Sequence, residues 1–80
     1  MNEITISKTL WMNAVARKLH PGSEISVADY WYDREGSVNL KYYHSFDQYS
    51  NDHFTAESVA SILGYKSVKF NRDFSITATE

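Results

Sequence analysis

The sequence predicts an α+β fold on three observations. Two alternating runs between Ile25 and Phe46 are joined by Asp33-Arg34-Glu35-Gly36, two segments repeat their apolar residues at three-to-four spacing, and a long alternating run fills Val68 to Ala78. Alternation is the mark of a half-buried strand, and three-to-four spacing is the mark of a helix with one buried stripe.

Glu3-Ile4-Thr5-Ile6 alternates and contains β-branched residues, which suits a short first strand. Ser7 is placed to cap a helix running to about His20, with Leu10, Trp11, Ala14, Val15 and Leu19 as its buried stripe. Arg17, Lys18 and His20 complement the dipole in the last turn, and Pro21-Gly22 stops the helix.

A hairpin follows. Asp33 caps its turn and Gly36 takes the left-handed position. Closing the chain about that link pairs Tyr32 with Ser37, Trp31 with Val38, Asp29 with Leu40, Val27 with Tyr42 and Ile25 with His44. One face is then Ile25, Val27, Trp31, Val38, Leu40, Tyr42 and Phe46, and the other carries Tyr30, Tyr32 and Tyr43 among Ser26, Asn39 and Lys41.

Residues 47–54 are rich in turn formers and read as a loop. Thr55 opens a shorter helix with Ala56, Val59, Ala60, Ile62 and Leu63 as its apolar side, ended by Gly64. The run from Val68 to Ala78 reads as one strand whose inward set is interrupted only by Arg72. The order is β-α-β-β-α-β, the ferredoxin-like plan of an antiparallel sheet with two helices on one face. If the first strand is only a lead-in, the order becomes α-β-β-α-β. No internal repeat is visible.

Eighty residues suit one domain spanning residues 1–80 with one modest core, for which two Trp, four Phe and six Tyr supply the bulk. The absence of cysteine removes any disulfide framework or thiolate zinc site and agrees with a reducing compartment. No apolar run approaches the ~20 residues that cross a bilayer, and no secretory leader is visible, so the chain reads as a soluble cytoplasmic protein with no membrane partner.

The net charge is −2, but seven acidic residues between Glu24 and Glu57 face only Arg34 and Lys41, while the flanks are mildly basic. An acidic middle disfavours phosphate backbones and favours basic protein surfaces; ordinary solvation of loops accounts for the same charges equally well.

Ser58-Val59-Ala60-Ser61-Ile62-Leu63-Gly64-Tyr65-Lys66-Ser67, followed by Phe70 and Phe74, resembles the second helix-turn-helix of AraC-type regulators. That resemblance covers less than a third of the chain and implies Lys66, Lys69 and Arg72 in a DNA major groove. The alternation from Val68 to Ala78 points instead to a strand, a period that a recognition helix does not use. Tyrosines on an open sheet also suggest base stacking as in RNA-recognition domains, with Lys41, Lys69 and Arg72 as phosphate partners. The third strand lacks the basic-Gly-aromatic-Gly core of that family, and plain strand propensity explains the tyrosines.

His44, Asp47, Asp52 and His53 are metal-ligating types, but no pair has a recognised ligand spacing. Asp29 opposite Leu40 is an odd core residue. It pairs with Arg72 as a buried structural ion pair, or lies at a bulge that turns it to solvent. No nucleophile elbow is present, and three glycines do not build a phosphate loop, so no enzyme and no cofactor are expected.

The expected function is a small non-enzymatic module binding a larger protein with a basic surface through Tyr30, Tyr32, Lys41, Tyr43, Asp47 and Asp52. Size and acidity suggest, by analogy alone, a phage- or plasmid-encoded inhibitor of host defence of the anti-CRISPR or anti-restriction type. A homodimer and a nucleic-acid-binding module are the alternatives.

Overall fold

The computed structural model describes residues 2–21, 26–45 and 48–80. In chain order the elements are β1 (Glu3–Ile6), α1 (Lys8–Leu19), β2 (Ser26–Tyr32), β3 (Val38–Ser45), β4 (Gln48–Phe54), α2 (Ala56–Leu63), β5 (Ser67–Phe70) and β6 (Ile76–Thr79). They form two antiparallel three-stranded sheets, ordered β1-β6-β5 and β2-β3-β4. The α+β class and the two helices therefore hold, but the expected single ferredoxin-like sheet gives way to six strands in two sheets. No helix among the described residues is long and apolar enough to cross a membrane.

Two local features account for the change. Residues 48–54 pair with β3 along their length, so the expected loop is an edge strand. The long C-terminal run is broken by a turn at Asn71–Ser75 into β5 and β6, which fold back on each other. With strands on both sides of that turn, the recognition helix implied by the regulator resemblance has no place.

The β2–β3 and β5–β6 hairpins share one turn pattern. Asp33-Arg34-Glu35-Gly36-Ser37 and Asn71-Arg72-Asp73-Phe74-Ser75 each close with an N–H of the first residue donating to the carbonyl of the last, 2.9 Å in both. The fourth residue of each donates its N–H back to the first carbonyl at 3.1 Å and takes the left-handed conformation, Gly36 at φ 82° and Phe74 at φ 68°. Glycine is at ease there, whereas a bulky side chain is strained.

The strain at Phe74 is offset by what it touches. Its ring stacks on Tyr32 with centroids 4.3 Å apart and meets Tyr30 edge-on at 4.8 Å. Its carbonyl accepts the Trp11 Nε1–H bond at 2.7 Å. Trp11 is 1% exposed and is the largest fully buried side chain. Its indole bond sets the rotation of α1, which buries Trp11, Met12, Val15 and Ala16. Leu10 and Leu19, expected in the stripe, are thereby turned outward, Leu10 to 67% exposure.

The core continues through Val38, Leu40 and Tyr42 of β3 to Phe54, Val59 and Ile76. Around α2 the local chemistry follows the sequence. Thr55 accepts from the Ser58 N–H at 3.1 Å, and Gly64 ends the helix at φ 81° while Tyr65 N–H reaches the Ala60 carbonyl at 2.8 Å.

Register decides which hairpin residues reach this core. Because Asp33 and Ser37 close the turn, Tyr32 pairs with Val38, Trp31 with Asn39, Tyr30 with Leu40 and Asp29 with Lys41. That is one residue away from the expected pairing near the turn, and a slip of one exchanges the faces of a strand. Tyr30 and Tyr32 turn inward; Asp29 and Trp31 turn outward. A bulge between Val27 and Asp29 restores the expected Val27–Tyr42 pair further along. The pairing of Ile25, and Phe46 with it, lies outside the described residues.

The expected buried Asp29–Arg72 pair is corrected on the same grounds. Arg72 sits exposed in the Asn71–Ser75 turn, Asp29 is exposed on the outer face of β2, and no ion pair joins them. The alternative of a bulge that delivers Asp29 to solvent is the arrangement found.

Candidate functional site: the outer face of the β2-β3-β4 sheet

Antiparallel partners share a face, so the β2-β3-β4 registers define the side turned away from the core. One row across the sheet is Trp31, Asn39 and His53; the next is Asp29, Lys41 and Asn51; the third includes Ser26, Tyr43 and Tyr49. Two of the exposed large hydrophobic side chains among the described residues lie here, Trp31 at 43% and Tyr49 at 50%. Tyr43 meets Tyr49 edge-on with centroids 4.8 Å apart, and the Lys41 ammonium lies 4.3 Å above the Tyr49 ring. The ring quadrupole attracts that cation and thereby orders the long side chain.

Of the residues expected to meet a partner, Lys41 and Tyr43 are brought together on this face. Tyr30 and Tyr32 are not: they belong to the junction between the sheets, where Tyr32 O–H donates to the Asn71 carbonyl and the Lys8 ammonium donates to the Tyr30 hydroxyl oxygen at 2.6 Å. Burial, reinforced by the Asp73 charge, pushes the Tyr32 hydroxyl pKa up. Asp52 is on the inner side of β4, its carboxylate 3.6 Å from His20 Nε2. Asp47 lies outside the described residues, as does the side chain of His44. Asp52 and His53, adjacent in the strand, point to opposite faces, which separates two members of the suggested metal set.

Trp31 and Tyr49 are the residues that sequence reasoning missed. Tyr49 was hidden in an apparent loop, although Tyr49-Asn51-His53 against Ser50-Asp52-Phe54 does alternate, with Phe54 as the buried end. Trp31 could be assigned outward only with the turn register in hand.

Beneath the face, His20 meets the Tyr42 ring edge-on at 5.5 Å. Tyr42 is fully buried, and its hydroxyl has no hydrogen-bond partner among the described residues. Desolvation, with the Asp52 charge, raises its pKa well above the usual phenol value, so the group is a neutral core phenol. At the hairpin tip, burial pushes the Asp33 carboxyl pKa up, but donors from Asn39, Ser37 and Glu35, and the nearby His53, together hold it below the usual carboxylate value.

The arrangement offers exposed aromatic area with a cation over one ring and one outward carboxylate. Comparison with protein-family models, with characterised proteins and with solved structures finds no match to this chain.

Proposed function

We propose that this chain is a small non-enzymatic protein-binding module that presents the outer face of its β2-β3-β4 sheet to the basic surface of a larger protein. The observation that carries the reading is the exposure of Trp31 and Tyr49 on one strand-paired face, with Tyr43 and Lys41 against the Tyr49 ring. Tryptophan and tyrosine add large contact areas at low entropic cost and are enriched at interface hot spots. The acidic excess between Glu24 and Glu57 favours a basic partner and speeds encounter with it. An inhibitor of a host defence protein, encoded by a phage or plasmid as anti-CRISPR and anti-restriction proteins are, is the setting that size and charge suggest by analogy.

A second reading is favoured by the same platform: Lys41 among aromatic rings is also the chemistry of single-strand binding, in which bases stack and a cation meets phosphate. One experiment separates them. Tagged protein is used to capture partners from bacterial lysate with and without nuclease treatment, in parallel with a Trp31→Ala/Tyr49→Ala variant. A protein partner retained after nuclease treatment and lost with the variant supports the module. Recovery of nucleic acid alone, weakening steeply with salt, replaces it with the second reading.

A further inference from the structure

We infer that Asp29 and Trp31 form a receptor for a guanidinium group, so that the partner docks by inserting an arginine side chain. The inference rests on the reading of this face as a partner surface and names the chemistry of its anchor.

The bulge in β2 is what builds the site. Without the register shift between Val27 and Asp29, one run of alternation could not place both Val27 and Tyr30 inward; with it, Asp29 and Trp31 stand outward as next-but-one neighbours on one strand. Such neighbours are separated by about 7 Å along a strand. That spacing lets a planar cation lie against the indole while its N–H groups reach the carboxylate.

The charge of Asp29 is left open by its natural neighbour. Lys41 is its direct cross-strand partner, the usual place for an opposite charge to answer a carboxylate. Yet the Lys41 ammonium lies over the Tyr49 ring on the far strand. Among the described residues the single ion pair is His20–Asp52, and no Lys or Arg reaches Asp29. One carboxylate oxygen accepts from the Tyr30 N–H at 2.8 Å, which orients the group and leaves its other oxygen for a ligand.

Arginine fits this geometry better than lysine. A guanidinium stacks flat on an aromatic ring, sheds water more readily than an ammonium, and presents parallel donors to a carboxylate. The requirement agrees with the acidic excess in the middle of the chain, which favours basic partners.

The test uses three capped tripeptides as probes: Gly-Arg-Gly, Gly-Lys-Gly, and Gly-citrulline-Gly, in which a neutral urea replaces the guanidinium. Each is titrated into isotopically labelled full-length protein and followed by the amide and indole resonances of residues 29 to 31. The arginine probe is expected to shift these resonances saturably, with the lysine probe weaker and the citrulline probe inert. Asp29→Asn keeps the acceptor for the Tyr30 N–H and should weaken the arginine probe about threefold; Trp31→Ala should weaken it about as much. Equal binding of the arginine and citrulline probes, or unchanged binding in Asp29→Asn, overturns the receptor. So does an oligothymidylate that shifts the same resonances while the arginine probe does not. Lysate capture distinguishes the two levels: capture that needs Trp31 and Tyr49 but ignores Asp29→Asn refutes the receptor and spares the module, whereas capture indifferent to Trp31 and Tyr49 refutes the module itself.

Discussion

Replacing Phe74 sets two large effects against each other. Its backbone holds φ 68°, which costs an L-residue roughly 1–2 kcal/mol relative to glycine. Its half-buried ring joins β2 to the β5–β6 turn, while its backbone carbonyl, which every variant keeps, holds Trp11 of α1. Burial of a phenylalanine contributes about 1.5–3 kcal/mol, less here for partial exposure, and each well-placed aromatic pair about 0.5–1.5 kcal/mol more. Phe74→Ala keeps the strained backbone and loses the ring, for an expected loss of about 3 kcal/mol. Phe74→Gly loses the same ring but relaxes the backbone, so it should cost less, about 2 kcal/mol. Gly36 supplies the control. A Cβ there meets nothing within 4 Å, so Gly36→Ala reports the backbone cost alone, about 1 kcal/mol. Urea unfolding of the three variants and the parent, followed by tryptophan fluorescence, measures all four stabilities. A Phe74→Gly variant as stable as the parent would show that the ring contributes no more than the strain costs. A Phe74→Ala variant as stable as Phe74→Gly would refute the strain itself.

Three further outcomes follow from the same contacts. Thr55→Ala removes the α2 cap and should cost about 1 kcal/mol by the same unfolding assay, while Thr55→Ser should not. The Asp73 carboxyl is held below the usual range by the Ser75 hydroxyl and N–H, against some desolvation and with help from the Lys8 charge. Its folded pKa is below its unfolded one, so its contribution is present above the unfolded pKa and lost as pH falls through the folded value; the melting-temperature gap between parent and Asp73→Asn should therefore shrink from pH 6 towards pH 3. Trp31→Ala, at a half-exposed strand site outside the core cluster, should cost about 1 kcal/mol through lost strand propensity and cross-strand contact, so its folding is checked by the same unfolding assay before binding work.

Local chemistry was legible in the sequence at several residues with one strong structural use, although Ser7, at the N-cap of α1 as expected, makes no side-chain capping bond. Asp33 and Gly36 marked their turn, and Thr55 with Gly64 marked both ends of α2. The inward set Val38, Leu40 and Tyr42 on β3 was also readable, because those residues alternate without interruption. What could not be read turned on single-residue offsets. The turn holds three residues between its closing pair rather than four, and that difference moved Tyr30 and Tyr32 inward and Trp31 outward. The second hairpin was hidden because phenylalanine stands where glycine would announce it; the preceding Asn71-Arg72-Asp73 and the following Ser75, matching Asp33-Arg34-Glu35 and Ser37, were the available signal. β4 was hidden because a polar edge strand needs only one buried residue, here Phe54, to hold its end.

These offsets bear directly on function. Tyr30 and Tyr32 are structural, and the proposed contact surface is composed of Trp31, Lys41, Tyr43 and Tyr49. Tyr30 and Tyr32, half-buried against the core, also explain how two small sheets adhere, through rings packed between β2 and the β5–β6 hairpin.

The most direct measurement is site-specific photo-crosslinking in lysate, with a photoreactive phenylalanine placed in turn at Trp31, Tyr49 and Leu10. Leu10 is the control because it is exposed and apolar but lies on α1. Crosslinks from positions 31 and 49 to one protein, with none from position 10, are what the outer-face account predicts. A partner crosslinked from position 10 and untouched from 31 and 49 would contradict it and move the interface to α1.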